Sequence, residues 1–304
     1  MYARSGATAG DGRHPSVIGE DHMADTWDDV RVQRWLDQAE GLDRQLAPVT
    51  AALFDAARLQ PGERVLDVGC GHGPTTRHAA AAVGASGSVT AVDVAEAMLR
   101  AGAALGPARD CAPIEWVQAD VAAWEPAAAG VGGHHAVISR FGVMFFTDPV
   151  RAFANLRSAT ASDGRLAVAT WARRDRSELF ELPLSAALPV LRARGVDAEV
   201  PAADAAAFSL GTAERLSEVL GAAGWHDVVV VEHEVQMAVH GGLDPAGAAR
   251  AGLDLGPTRV LMAGQPDDLR AEVAAAIAEV YEDHTDEHGH VTVGGTFLVT
   301  TATR

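Results

Sequence analysis

The run Asp67-Val68-Gly69-Cys70-Gly71-His72-Gly73 joins an apolar segment to a glycine turn and then to a helical pattern. Glycines in that place permit a left-handed backbone and let a ligand approach the main chain closely. The helix that follows offers unpaired N–H groups to negative groups. The glycines fall as G-x-G-x-G, which differs from the G-x-G-x-x-G spacing of dinucleotide sites. Asp93 ends a second apolar run, where a carboxylate accepts hydrogen bonds from a ribose diol. Asp120 ends a third, where a carboxylate can accept from an adenine amino group. Acids at the carboxyl ends of successive parallel strands converge on one crevice. No basic group accompanies them to meet a pyrophosphate. Such a crevice suits a ligand with a ribose, an adenine, an amino-acid end and a positive sulfonium better than it suits NAD.

Alternating elements are needed to hold these residues. Residues 64–68, 88–92, 114–118, 136–139 and 164–171 read as strands, with helices over 75–83, 95–105 and 149–157. That alternation predicts a parallel sheet covered on both faces. Upstream, 26–60 is helical: Trp27, Val30, Arg31 and Arg34 precede Trp35, Leu36, Leu42 and Leu46 near a period of 3.6, and Pro48 fits the first turn of a further helix. After Trp171 the rhythm breaks. Residues 178–194 look helical despite Pro183 and Pro189. A helix over 212–223 and a strand over 228–237 restore the core pattern, 245–263 and 267–284 are helical stretches, and 296–303 is a final strand. The expected organisation is a flexible tail (1–22, with Met23 as an alternative start), a helical lid (23–60), a cofactor-binding core (61–172), a helical insertion (173–211), a core helix and strand (212–240), a helical cap (241–294) and a last core strand (295–304).

Composition excludes several classes. The chain has 304 residues and a net charge of −17, and all 24 of its basic residues are arginines. Without lysine there is no Walker-type phosphate loop, pyridoxal Schiff base or kinase-type ATP site. The acidic balance argues against nucleic acid. Two cysteines make no disulfide framework, no apolar run is long enough to span a membrane, and the first 22 residues lack the apolar region of a secretory signal. A cytoplasmic protein is expected.

The segment 67–73 with Asp93 and Asp120 resembles the class I S-adenosylmethionine-dependent methyltransferases. Residues 137–146, Val-Ile-Ser-Arg-Phe-Gly-Val-Met-Phe-Phe, are similar to the fourth motif of a bacterial small-molecule subgroup. The upstream Trp35-Leu36-Asp37-Gln38 … Leu42-Asp43 pattern and the closing Phe297-Leu298-Val299-Thr300-Thr301-Ala302 are similar to the same subgroup. A more distant similarity runs to ubiquinone/menaquinone-type C-methyltransferases. The resemblance is close over 27–172. It implies a Rossmann-like α/β fold with a mostly parallel seven-stranded sheet, an N-terminal helical lid and a helical cap insertion.

The resemblance also implies S-adenosyl-L-methionine as cofactor and a set of roles. Gly69, Cys70, Gly71 and His72 would form the loop around its methionine part, with Asp67 facing the amino group directly or through water. Asp93 would bind the ribose hydroxyls with Val94 and Met98 beside it, and Asp120 with Val121 would fix the adenine. Ser139 and Arg140 would contact the methionine end and face the acceptor, and Trp35 and Gln38 would lie over the cofactor. His72 departs from the small Thr or Ser usual at its position. The expected reaction is O-, N- or C-methylation of a small, largely apolar or aromatic metabolite, in the manner of secondary metabolism. Candidate bases are His72, Tyr281 and His284, the last two at i, i+3 on one helical face. The expected partner is a small-molecule acceptor, without nucleic acid or membrane, and a homodimer is admitted. No metal is expected, although His134-His135 and the run His284, Asp286, Glu287, His288, His290 carry ligand types. The alternatives are an S-adenosylmethionine-binding protein without methyl transfer, such as a cyclase or regulatory binder, and an NAD-dependent oxidoreductase.

Overall fold

The structure is a computed structural model that describes residues 29–124 and 133–304. The tail 1–22, Met23, Trp27 and the alanine tract 127–129 lie outside the described residues. Seven strands form one sheet: β1 (Arg64–Val68), β2 (Ser88–Asp93), β3 (Ile114–Gln118), β4 (His134–Arg140), β5 (Thr160–Trp171), β6 (His226–Ala238) and β7 (Thr292–Thr303). Their order is β3-β2-β1-β4-β5-β7-β6. The first five pair in parallel, and β7 runs antiparallel between β5 and β6. The expected mostly parallel seven-stranded α/β sheet is therefore present. Strand order reverses between β1 and β4, which opens a crevice beyond their carboxyl ends.

The apolar runs are continuous because both sheet faces are covered. Successive side chains alternate between faces. Val65, Ala136 and Ala167 meet α3 (Ala47–Ala57) and α4 (Pro74–Val83), whereas Leu66, Val137 and Leu166 meet α6 (Pro149–Ala159) and α8 (Ala213–Ala222). The helix α5 (Glu96–Ala104) covers β2 and β3 through Leu99 against Ala91. Ahead of α3 lie α1 (Asp29–Asp37) and α2 (Ala39–Gln45). α3 buries Leu53 and Ala57 on the sheet, so it belongs to the core layer. Gln45 fixes α2 by accepting the His240 N–H at 2.7 Å.

A second layer caps the carboxyl end of the sheet. It comprises α7 (Glu178–Ala193), α9 (Pro245–Gly252), α10 (Gly256–Met262) and α11 (Asp267–Glu282). Leu184, Leu191, Leu253, Val273 and Ile277 form its core, continuous with Phe297 of β7. α7 runs through Pro183 and Pro189, each of which forfeits one helical hydrogen bond. The helical stretch 245–263 is divided into two helices. Pro257 has no N–H to continue α9, and its fixed φ suits the first turn of α10. No helix among the described residues is long and apolar enough to cross a membrane.

Candidate functional site

The crevice at the β1–β4 reversal opens into a cavity of about 1090 Å³. Its floor is the turn after β1. The N–H groups of Gly69 and Cys70 both donate to the Val92 carbonyl, at 2.8 and 3.1 Å, which locks the turn to β2. Gly69 is left-handed (φ 64°), and a Cβ there would lie 2.6 Å from Gly142 Cα, where the loops after β1 and β4 cross. Gly71 is left-handed too (φ 57°), but a Cβ there meets nothing within 4 Å and would stand in the cavity's open space.

Two carboxylates back this turn. Asp93 accepts the Gly71 N–H at 2.8 Å and the Ala95 N–H at 2.9 Å. Burial raises its pKa against the pull of these backbone bonds. Asp67 is fully buried behind the turn, and its Oδ2 accepts the Thr75 and Thr76 hydroxyls at 2.8 and 2.7 Å. Its Oδ1 has no partner among the described residues. Burial pushes its pKa up to about 6, although the threonine hydroxyls lower it. A buried acceptor without a donor is costly. An orphaned carboxylate oxygen behind the turn and an open Gly71 together fit S-adenosylmethionine, which brings an amino group and a backbone-hugging methionine chain.

Val94, Met98 and Val121 add an apolar slot beside Asp93, and Trp35 of α1 and Gln38 just after it line the same cavity. Cys70 lies on the wall but is buried, and burial drives its thiol pKa well up, so it is no nucleophile. Further along, the cavity is aromatic. Phe141 is held left-handed (φ 64°), a conformation that is strained for a bulky side chain, and stacks on Trp171 at 4.1 Å. Trp171 meets Phe180 edge-on at 5.0 Å, and Phe180 meets Phe208 likewise at 5.0 Å. Between the two halves stands an ionic cluster. Arg140 donates to Asp43 and to Thr50 Oγ1, each at 2.8 Å, and His72 Nε2 lies 3.5 Å from the other Asp43 oxygen. Burial pushes the Asp43 carboxyl up, but hydrogen bonds from His72 and Arg140 outweigh it and hold the pKa below the ordinary value.

Thus Trp35, Gln38, Gly69, Cys70, Gly71 and His72 share one wall with Asp93, Val94, Met98, Val121 and Arg140. Of the remaining expected site residues, Ser139, Asp120, Tyr281 and His284 lie off that wall and are corrected, whereas Asp67 keeps its expected place behind the glycine turn. Ser139 is fully buried; its hydroxyl donates to the Val68 carbonyl at 2.7 Å and accepts from Gly142, tying β4 to β1 instead of facing an acceptor. Asp67 stands behind the wall. Asp120 is exposed and spends its carboxylate on the Ala122 N–H at 2.9 Å, so its neighbours Ala119 and Val121 are what face the cavity. Tyr281 is buried in the cap core, with its hydroxyl pKa raised by burial, and neither it nor His284 reaches the cavity. Both are removed as candidate bases: Tyr281 because the inward face of α11 serves the cap, and His284 because α11 ends at Glu282, so the expected shared helical face does not form.

The other titratable runs have structural partners. His134 Nδ1 lies 3.1 Å from the Ala159 carbonyl, and His135 accepts the Arg64 N–H. Asp286 turns its loop by accepting the N–H groups of His288 and His290. Among the described residues no three His, Cys, Asp or Glu side chains are grouped to hold a metal ion. Sequence reasoning missed the roles of Asp43, of Thr75-Thr76 and of the Trp171–Phe180–Phe208 wall. The only advance sign was the place of Asp43 in the upstream pattern and of the threonines one turn past Gly73.

The methyltransferase-domain family matches residues 65–164, from β1 into β5. The nocamycin O-methyltransferase of Saccharothrix syringae is 28% identical over 201 residues, covering 62% of this chain and 69% of that relative. A cyclopropane-fatty-acyl-phospholipid synthase-like protein from Lactobacillus casei superposes with a TM-score of 0.50 at 21% identity, covering 90% of this chain and 100% of the other. The Haemonchus contortus phosphoethanolamine N-methyltransferase 2 superposes at 0.50 with 14% identity, covering 92% and 58%. These two structural likenesses bear on the fold, and the family match falls on the strands that build the glycine turn and its carboxylates. The family match over residues 65–164 and the curated relative together support a class I S-adenosylmethionine-dependent methyltransferase domain in that stretch of the chain.

Proposed function

We propose that the protein transfers methyl to an oxygen of a small acceptor with an apolar, aromatic body. The observation that carries this reading is the continuity of one cavity from Asp93 to the stacked Phe141–Trp171 pair. Oxygen as the methylated atom is supported by the O-methyltransferase relative.

When bound, S-adenosylmethionine supplies a methyl group on a positively charged sulfur. Asp93 holds the ribose hydroxyls while keeping Gly71 in place. Asp67 receives the methionine amino group on its orphaned oxygen, directly or through water, and Gly69 and Gly71 let the backbone lie against the methionine chain. Val94, Met98 and Val121 hold the adenine by apolar contact. The aromatic wall orients the acceptor and excludes water. Orientation of this kind can contribute about 7–11 kcal/mol in favourable cases. With the cofactor bound, His72 would take the proton of the acceptor hydroxyl, and Asp43 would steady the resulting imidazolium. Arg140 pins Asp43 from the other side.

The test is labelled methyl transfer to fractionated cell metabolites, with the product atom read by mass spectrometry, comparing the wild type with His72→Gln. A kcat loss of roughly 10²–10⁴-fold in the variant, with S-adenosylhomocysteine affinity kept, is expected of a lost base. Cofactor binding without transfer to any fraction would instead make the protein a binder, the cyclase-like or regulatory alternative.

A further inference from the structure

Arg174 lies at the acceptor end of the cavity, directly after β5, and is only 8% exposed. Its Nη1 donates to the Glu181 carboxylate, and its Nε is buried without a partner. A guanidinium out of water costs free energy unless its donors are used. Apolar packing would have filled this place more cheaply, since Trp171, Phe180 and Phe208 surround the same space. The setting is unusual for the chain as well. Against a net charge of −17, the acceptor half of the wall carries Arg174, Arg259 and Arg270 with Asp254 as its acid. Arg270 is occupied by the Met262 carbonyl at 3.0 Å and by Asp254 at 3.3 Å. Of these arginines, Arg174 is the one that is both buried and left with an unpartnered donor, whereas Arg259 is exposed.

We infer that Arg174 anchors an anionic group of the acceptor, a carboxylate or an ionised acidic hydroxyl carried on an aromatic or apolar ring system. The inference rests on the proposed function and narrows its acceptor class. The anion takes the unused guanidinium donors while the rings lie along Phe141, Trp171 and Phe180. The result is a fixed distance between the anchored anion and the methylated oxygen, so Arg174 selects the acceptor without taking part in the chemistry.

The test uses two fluorescent probes with one ring system, 1-anilinonaphthalene-8-sulfonate and the neutral N-phenyl-1-naphthylamine, titrated into protein saturated with S-adenosylhomocysteine. The wild type is expected to prefer the sulfonate, and Arg174→Met to weaken it about ten- to a hundred-fold, the range for a charge-assisted hydrogen bond. The neutral probe is expected to bind both proteins alike, and Arg174→Lys to recover part of the loss. The pair Arg174→Met with Glu181→Gln removes the cation without leaving a bare carboxylate, and supplies the reading if the single variant melts early. Equal affinity of the two probes for the wild type, or an unchanged sulfonate affinity in the variants, overturns the assignment. Absence of S-adenosylhomocysteine binding by the wild type would overturn the proposed function itself, which separates the two failures.

Discussion

Asp67 gives the sharpest handle on the cofactor half, because its burial has a measurable thermodynamic signature. Its pKa stands at about 6 in the fold, against 3.8 for the free group. An acid whose folded pKa is raised binds protons more tightly when native, so stability is lost as pH rises from the unfolded pKa through the folded one. The full loss is about 1.36 × (6 − 3.8), or about 3 kcal/mol, of which about 2 kcal/mol falls between pH 4.5 and pH 7.5. Asp67→Asn keeps an oxygen for the Thr75 and Thr76 hydroxyls and removes the titration. Urea unfolding of both proteins across that interval, taken as a difference, cancels the titrating groups that do not interact with Asp67, leaving Asp67 and its coupling to Asp93. The variant should gain about 2 kcal/mol on the wild type between the two pH values, while binding S-adenosylhomocysteine more weakly by about 1.5–3 kcal/mol. A stability difference that stays flat with pH would refute a desolvated Asp67, and with it the orphaned oxygen offered to the amino group.

Two further contrasts separate structure from binding. Gly69→Ala should destabilise the fold itself, because its Cβ collides with Gly142 Cα, whereas Gly71→Ala should keep a folded core, at a cost of about 1–2 kcal/mol for left-handed backbone, and lose cofactor affinity. Thermal melts beside calorimetric titration would show both, and a Gly71→Ala protein with full affinity would place the cofactor elsewhere. Tyr281→Phe and His284→Ala should leave kcat within about threefold of wild type, since both side chains stand off the cavity. A kcat loss of a hundred-fold in either would restore it as a base.

The fold was legible because its signals were local and repeated. Buried parallel strands read as uninterrupted apolar runs, and each ended at the residue that mattered, as Val68 does before Gly69 and Asp93 does at the end of β2. Backbone-defined residues of the site were legible for the same reason, since a glycine turn is written in consecutive positions. What escaped was set by side-chain direction and by distant elements. Asp120 and Ser139 hold the expected places in the chain, but one carboxylate turns back onto its own loop and one hydroxyl bridges two strands. Tyr281 turns into the cap core and His284 lies past the end of α11 at Glu282, so the helical face expected to carry both is not formed, and nothing in the chain announces either placement. Asp43, Arg140 and His72 come from three separate elements, and their meeting is a property of tertiary structure alone.

The central claim is a nucleoside-sulfonium site built on the glycine turn and on Asp93, and calorimetric titration tests it most directly. The wild-type protein should bind S-adenosylhomocysteine in a single class of site, should give no heat with NADH, and should lose about 1.5–3 kcal/mol of affinity on Asp93→Ala, as a charge-assisted pair to the ribose requires. Tight NADH binding with no response to S-adenosylhomocysteine, or an Asp93→Ala protein with undiminished affinity, would contradict it.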